Sequence, residues 1–192
     1  MFAKLLAALI ALFAKKPTVA DPLPTYTPTP EPVKRPTSKG AAIGGVAGAA
    51  TIAAIVAFIG PWEGRRYTAY QDIVGVWTIC EGHTKGVKAG DVATDAQCDE
   101  MAAQDVAEHN AGIRACITRP MPQNVEIAFT SLAFNAGVGA FCGSTALRRY
   151  NAGDDTGACD ALNMWNKAGG QVVRGLVNRR AAESALCKKD ST

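Results

Sequence analysis

Glu63, Asp72 and Thr78 are the residues whose types and spacing could carry chemistry. Cleavage of a glycosidic bond needs two carboxyl groups that flank the scissile bond. One is protonated and donates to the leaving oxygen, and the other is ionised and activates water or attacks the sugar. A Glu and an Asp nine residues apart can meet that need, and the Thr78 hydroxyl can orient the water. Acidic pairs at this spacing are common, so the interpretation depends on the elements around them.

The elements that would position these residues form a mostly helical domain with a small β-hairpin region. The stretch Val74–Ile79 is rich in β-branched residues and predicts a hairpin within residues 65–88. Glu63 falls near a helix, whereas Asp72 and Thr78 fall in the β region. The predicted fold class is therefore α+β, with a small sheet ahead of a helical body.

Helix boundaries can be predicted after the hairpin. Thr94 and Gln97 have the spacing of a capping box, and Pro122 suits the first turn of the next helix. Ser144 and Asp155 are predicted to cap two further helices. Helix stops are predicted at Gly153 and at Gly169–Gly170. The last helix is predicted over residues 175–188.

The order Glu-x8-Asp-x5-Thr, formed by Glu63, Asp72 and Thr78, resembles the catalytic residues of the phage-type lysozymes, the endolysins of glycoside hydrolase family 24. Two later segments are similar to the same family. Residues 131–141 (SLAFNAGVGAF) resemble its central buried helix and cleft segment, and residues 175–183 (GLVNRRAAE) resemble its C-terminal helix. Three motifs in the family's order make the resemblance specific.

The resemblance covers about residues 61–190 and implies a lysozyme-like fold. It also implies cleavage of the β-1,4 bond between N-acetylmuramic acid and N-acetylglucosamine in peptidoglycan. Carried over, Glu63 is the general acid, Asp72 positions or activates water, and Thr78 helps to hold that water. The resemblance suggests an inverting course, and it implies no metal and no cofactor.

Substrate contacts are also implied by the resemblance. Asn135 and Gly137 belong to the segment that would line the sugar cleft. His83 either assists near the acid or makes a structural hydrogen bond in its turn. For Arg179 and Arg180, structural pairing is favoured over binding of the polymer.

Two other activities remain open for such a domain. One is a non-enzymatic module that binds the cell wall and has lost turnover, although the presence of Glu63, Asp72 and Thr78 argues against it. The other is a lytic transglycosylase, which needs the acid but no water-activating Asp and leaves anhydromuramic ends.

Six cysteines lie in the C-terminal part of the chain, at positions 80, 98, 116, 142, 159 and 187. They contain no C-x-x-C pair, so a zinc site is not indicated. An even number in a domain outside the inner membrane predicts disulfides, without choosing among the possible pairings.

The charge is distributed unevenly along the 192 residues, although the net value is only +3. Residues 1–39 carry six Lys or Arg against two Asp or Glu, which gives +4, and residues 61–192 carry 14 against 15, which gives −1. The slightly acidic C-terminal part gives no indication of a nucleic-acid partner. We expect peptidoglycan as the partner and a monomeric protein.

The N-terminal third divides into three zones ahead of the predicted lysozyme domain, residues 61–192. Residues 1–16 contain a ten-residue apolar run between lysines, which predicts an interfacial helix or, alternatively, a signal-peptide core. Residues 17–39 hold seven of the ten prolines and predict a semi-rigid linker. Residues 40–60 carry no charge, and 13 of the 21 are Gly or Ala.

Residues 40–60 are long enough to cross a bilayer as one helix, and the preceding basic flank predicts a cytoplasmic N-terminus and a periplasmic C-terminal domain. The alternative is a buried helix packed through small residues. A weakly hydrophobic helix on such a domain resembles the signal-arrest-release endolysins, whose anchor leaves the inner membrane. Release would draw residues 1–39 across the bilayer, so a permanent tether is the other possibility.

Overall fold

The structure is a computed structural model that describes residues 45–72 and 74–189 of the chain, with side chains from residue 48 onward. The described residues belong to one compact unit, Ala41–Thr192. The predictions for residues 1–16 and 17–39 lie outside the described residues. In chain order the elements are α1 (Gly45–Glu63), β1 (Arg66–Gln71), β2 (Trp77–Cys80), α2 (Asp95–Arg114), α3 (Gln123–Ala136), α4 (Val138–Cys142), α5 (Thr145–Asn151), α6 (Asp155–Ala161), a 3-10 turn (Leu162–Met164), β3 (Lys167–Ala168), β4 (Gln171–Val172) and α7 (Arg174–Cys187).

Helix α1 packs against the rest of the domain through one apolar face. Ile55 and Ile59, four residues apart, are 0% and 3% exposed and share a cluster with Val106 of α2. This spacing places both side chains on the same side of a helix. Gly64, with a φ of 72°, ends the helix directly after Glu63.

The predicted boundary between residues 60 and 61 falls inside α1, which ends at Glu63. Part of the predicted membrane segment, residues 40–60, therefore belongs to a helix of the compact unit Ala41–Thr192. Within the described ranges, no helix meets the length and hydropathy that a membrane crossing requires.

The predicted hairpin is confirmed. Strands β1 and β2 pair antiparallel, with Tyr70 opposite Thr78 and an irregularity between Arg66 and Tyr70. The turn between the strands includes Gly75, whose φ of 82° lies in the left-handed region that glycine adopts without strain. This hairpin carries both Asp72 and Thr78.

Helix α3 is the centre of the helical body. Phe129, Leu132 and Ala133 are fully buried, and the Phe129 ring contacts the Phe141 ring of α4 at 5.1 Å between centroids. The helix contacts α1, α2, α4 and α7, so most of its circumference is buried, including the polar residues Glu126, Thr130 and Ser131. Helices α1, α2 and α3 contribute residues to one cleft.

The structure confirms some predicted caps and corrects others. Thr94 and Gln97 form the capping box of α2, and Ser144 accepts from the Leu147 N–H at the start of α5. The prediction of Asp155 as a cap is wrong by one residue, because Asp154 accepts from the Gly157 N–H. Gly153 follows α5 as predicted, α7 spans 174–187, and Gly169–Gly170 join β3 to β4 instead of ending a helix.

All six cysteines form disulfides, as predicted. The pairs are Cys80–Cys98, Cys116–Cys142 and Cys159–Cys187. The first connects the end of β2 to α2, and the last connects α6 to α7. Each pair closes a loop of 18 to 28 residues, which restricts the unfolded chain more than it changes the folded one.

Replacing both Cys159 and Cys187 by Ala should lower the free energy of unfolding by about 3 kcal/mol. For a domain of this size the melting temperature should fall by about 10 °C. Thermal unfolding of the oxidised proteins tests this. Reductant should lower the melting temperature of the variant by less than it lowers that of the wild type. An oxidised variant that melts within about 2 °C of the oxidised wild type would contradict a stabilising role for this disulfide.

Candidate active site

A cleft of about 360 Å³ opens beside the C-terminal end of α1. Glu63 is the last residue of α1, and its side chain is 20% exposed and lines the cleft. Its location depends on the docking of α1, because the helix ends at this residue. The other lining residues among those described are Glu81, Gly82, Thr84, Lys85, Asp105, Glu108, His109, Phe134 and Asn135.

Glu63 is held by an ion pair with a buried arginine of α7. The Arg179 Nη1 donates to Glu63 Oε1 at 2.5 Å. Arg179 is only 4% exposed, and its Nη2 also donates to the backbone oxygen of Ser131 at 3.2 Å. The predicted structural pairing of Arg179 is thus confirmed, and its partner is the predicted acid itself.

Behind this ion pair lies a buried set of charged groups, here called the Glu183 network: Glu183, Arg179, Arg180 and Ser131. Glu183 Oε1 accepts from Ser131 Oγ at 2.6 Å, from Arg179 Nε at 3.2 Å and from Arg180 Nη2 at 3.0 Å. Burial raises the pKa of Glu183 above its usual value, against the opposing effect of the two arginines. Burial also lowers the pKa of Arg180 to about 10.

Asn135 lies at the C-terminal end of α3 and lines the same cleft as Glu63. Its Oδ1 accepts from Arg180 Nη2 at 3.2 Å. A guanidinium group only donates, so this contact selects the amide oxygen of Asn135. The structure therefore brings Glu63 and Asn135 into one cleft and connects both to the Glu183 network.

Asp72 and Thr78 lie on the β1–β2 hairpin. Asp72 Oδ1 accepts from the N–H groups of Val74 and Val76, at 2.9 Å and 2.8 Å, so the turn fixes the carboxylate. Thr78 is 4% exposed, and its hydroxyl donates to the Val76 backbone oxygen at 3.1 Å. Their predicted role in handling water stays a prediction, which we take up below.

His83 and Gly137, the other two predicted substrate contacts, differ in what they offer. The His83 ring is 10% exposed, with Nδ1 2.8 Å from Asp105 Oδ2 and Nε2 3.1 Å from the Lys85 backbone oxygen. Both ring nitrogens are thus occupied by protein partners, which favours the structural interpretation. Gly137 joins α3 to α4 with a φ of 94°, a conformation that side-chain-bearing residues rarely adopt.

Glu81 lies in the cleft wall directly after strand β2. Its Oε1 accepts from Arg65 Nε at 2.5 Å, and Arg65 also reaches Asp95 and Asp99 at the start of α2. The preceding Cys80 has a φ of 56°, and its disulfide connects this conformation to α2. The three-carboxylate contact of Arg65 thus holds the chain just after Glu63 against α2.

Several residues that line the cleft were not predicted from the sequence. His109 of α2 lies against Phe134 of α3, with ring centroids 5.0 Å apart, and Lys85 pairs with Glu108. The position of His109 four residues after Asp105 is compatible with a shared helix side, but nothing in the local sequence indicated that this side borders a cleft.

The described residues hold one group of possible metal ligands near the cleft, formed by Cys80, Glu81 and Cys98. The two sulfurs are bonded to each other in a disulfide. A cysteine binds a metal ion as a thiolate, and neither sulfur is a thiolate in the disulfide. This group therefore does not fit a metal ion in the oxidised protein.

Comparisons with known proteins identify relatives of the chain. The chain matches the family model for phage lysozyme over residues 60–183, which includes Glu63, Asn135 and the Glu183 network. It is 43% identical to the SAR-endolysin of Enterobacteria phage P21 over 126 residues, which covers 65% of this chain and 76% of that relative. It is 45% identical to the SAR-endolysin of Pseudomonas phage phiKMV over 135 residues, covering 68% and 83%.

A solved structure extends the comparison to the fold. The muramidase domain of SpmX from Asticaccaulis excentricus aligns with a TM-score of 0.66 and 34% identity, covering 70% of this chain and 94% of that domain. The matched fold, the relatives above 40% identity and the family model that spans more than half of the residues agree. The chain therefore belongs to the phage lysozyme family.

Proposed function

We propose that this protein is an endolysin that hydrolyses the β-1,4 bond between N-acetylmuramic acid and N-acetylglucosamine in peptidoglycan, for lysis of a bacterial host. The observation that carries the proposal is the carboxyl group of Glu63 in a cleft shared with Asn135, in a chain of the phage lysozyme family. The muramidase domain among its structural relatives supports the choice of bond.

In the proposed reaction Glu63 donates a proton to the leaving glycosidic oxygen, and water attacks the sugar carbon. The guanidinium group of Arg179 contacts the same carboxyl group at 2.5 Å, so the bound glycan would displace this contact when Glu63 reaches the leaving oxygen. Asp72 would position or activate the water, and Thr78 would help to hold it. The backbone N–H groups of Val74 and Val76 hold the Asp72 carboxyl group in place for this role.

Asn135 is the residue that we propose binds the sugar. Because its oxygen accepts from Arg180, its amide NH2 is the part that would donate to a hydroxyl or N-acetyl oxygen of the glycan. Gly137 would let the glycan approach the α3–α4 junction closely. His83 would hold Asp105, which lines the cleft, and would not contact the sugar itself.

Release of soluble fragments from purified peptidoglycan sacculi tests the proposal. The oxidised full-length protein should release fragments continuously, at a rate proportional to its concentration. A binding module without turnover would sediment with the sacculi and release nothing above buffer. That result would exclude the proposed enzyme and favour the binding module.

We further propose that residues 40–60 anchor the protein in the inner membrane before lysis, with the lysozyme domain in the periplasm. The relatives named SAR-endolysin and the charge-free composition of this segment support the proposal. Ile55 and Ile59 would then exchange lipid for the apolar cluster around Val106 when the segment leaves the bilayer. The same step would place Glu63, the last residue of α1, in the cleft.

Dissipating the membrane potential tests release against a permanent tether. The potential stabilises basic flanks on the cytoplasmic side by about 2.3 kcal/mol per charge per 100 mV. We expect an uncoupler to move the full-length protein from the membrane pellet to the soluble fraction of expressing cells. Retention of the protein in the pellet after uncoupling would support a permanent tether.

A further inference from the structure

We propose that Glu183 is a positioning residue that fixes Glu63 and Asn135 relative to each other, although it lies outside the cleft. This inference rests on the proposed function. Glu183 is 0% exposed, so it is not available to touch a substrate. One of its oxygens, Oε1, accepts from both arginines and from Ser131. Each arginine then contacts one cleft residue.

The first connection leads to Glu63. Arg179 donates through Nε to Glu183 Oε1 at 3.2 Å and through Nη1 to Glu63 Oε1 at 2.5 Å. The guanidinium group is planar and rigid, so a contact that holds its Nε also sets the direction of Nη1. Glu183 therefore defines where Arg179 meets the carboxyl group of Glu63.

The second connection leads to Asn135. Arg180 Nη2 lies between Glu183 Oε1, at 3.0 Å, and Asn135 Oδ1, at 3.2 Å. The Nε and Nη1 atoms of Arg180 have no hydrogen-bond partner within the part of the chain that the structure describes. Glu183 is thus the charged group that holds Arg180, and Arg180 selects the orientation of the Asn135 amide.

The energetics favour a role beyond stability. Burying an ionised carboxylate with two guanidinium groups carries a desolvation cost that apolar residues of similar volume would avoid. The Glu183 network brings together residues of α3 and α7, at positions 131, 179, 180 and 183. Its charged contacts end on two residues that line the cleft.

Glu183→Gln tests the inference, because it removes the charge and keeps the shape. In the full-length oxidised protein we expect kcat/KM on purified sacculi to fall by about tenfold or more, since small displacements of catalytic groups have effects of this size. Both parameters should change, because Asn135 acts on the apparent KM and Glu63 on kcat. The pH dependence of kcat should shift as well, because the partner of Glu63 is displaced.

Arg180→Met separates the two connections. It leaves Glu183 with Arg179, and so should raise the apparent KM by about tenfold while kcat stays within about twofold. Glu126→Gln is the matched control. Glu126 is a buried carboxylate of α3, 3% exposed, whose partners include Asn110 and Arg114. We expect it to lower the melting temperature without changing the apparent KM or the pH dependence.

The outcomes separate the inference from the proposed function. A wild type that releases no fragments contradicts the proposed function. An active wild type beside a folded Glu183→Gln variant with unchanged kcat, KM and pH dependence overturns the inference alone. If Glu183→Gln does not fold, the double variant Arg180→Met with Glu183→Met replaces the pair by apolar groups. A folded double variant with a kcat clearly below that of Arg180→Met supports the inference, because the loss of Glu183 then acts on Glu63 through Arg179, and a double variant with the kcat of Arg180→Met overturns it.

Discussion

Replacing Glu63 by Gln should lower the rate of fragment release from sacculi by about a thousandfold, within the range expected for loss of a general acid. Glutamine keeps the length of the side chain, and its amide oxygen can still accept from Arg179. The amide does not act as an acid toward the leaving oxygen. Fragment release measured on the oxidised full-length protein, with a melting curve for each variant, tests the expectation.

Glu100→Gln is the control for this substitution. Glu100 is an exposed acid of α2, and Gln104 Nε2 donates to it at 3.5 Å. Its loss should leave the rate within about twofold of the wild type, because exposed contacts of this kind contribute little. A Glu63→Gln protein that keeps more than about a tenth of the wild-type rate would show that another group supplies the proton.

Replacing Ile55 by Asp should separate α1 from the domain and abolish most activity. Ile55 is 0% exposed in the cluster with Ile59 and Val106, and an unpaired carboxylate there costs several kcal/mol. Glu63 lies two helical turns further along α1, so undocking the helix removes the proposed acid from the cleft. We expect a loss of activity of at least about a hundredfold, because catalytic geometry is sensitive to displacements of about 1 Å.

Ala53→Asp is the matched control on the same helix. Ala53 is exposed in the folded domain, so a carboxylate there remains in water. The purified variant should retain its melting temperature and activity, whereas Ile55→Asp should lose both. Equal activity of the two variants would contradict the dependence of Glu63 on the docking of α1.

The local features of the fold could be predicted because they depend on neighbouring residues. The hairpin followed from β-branched residues between Val74 and Ile79, and the cap of α2 from the spacing of Thr94 and Gln97. The assignment of Asp155 was wrong because Asp154 and Asp155 are adjacent and chemically identical, so only the backbone conformation decides which one caps. The two glycines at 169 and 170 serve a hairpin turn as readily as a helix end.

The environment of the site could not be predicted, because it depends on contacts between distant residues. Arg179 and Glu63 are 116 positions apart in the chain, so no local sequence pattern predicts their ion pair. The burial of Ile55 was also hidden, because a helix buried in protein and a helix buried in lipid need similar apolar composition. The resemblance predicts Glu63 as the acid, whereas the residues that contact Glu63 could be found only from the fold.

Hydrolysis of sacculi in water enriched in heavy oxygen is the most direct test of the proposed reaction. Mass spectrometry of the released fragments should show one heavy oxygen atom at each new N-acetylmuramic acid reducing end, because attack by water creates that end. Fragments that end in anhydromuramic acid, without heavy oxygen at the cleaved end, would contradict hydrolysis and identify a lytic transglycosylase instead.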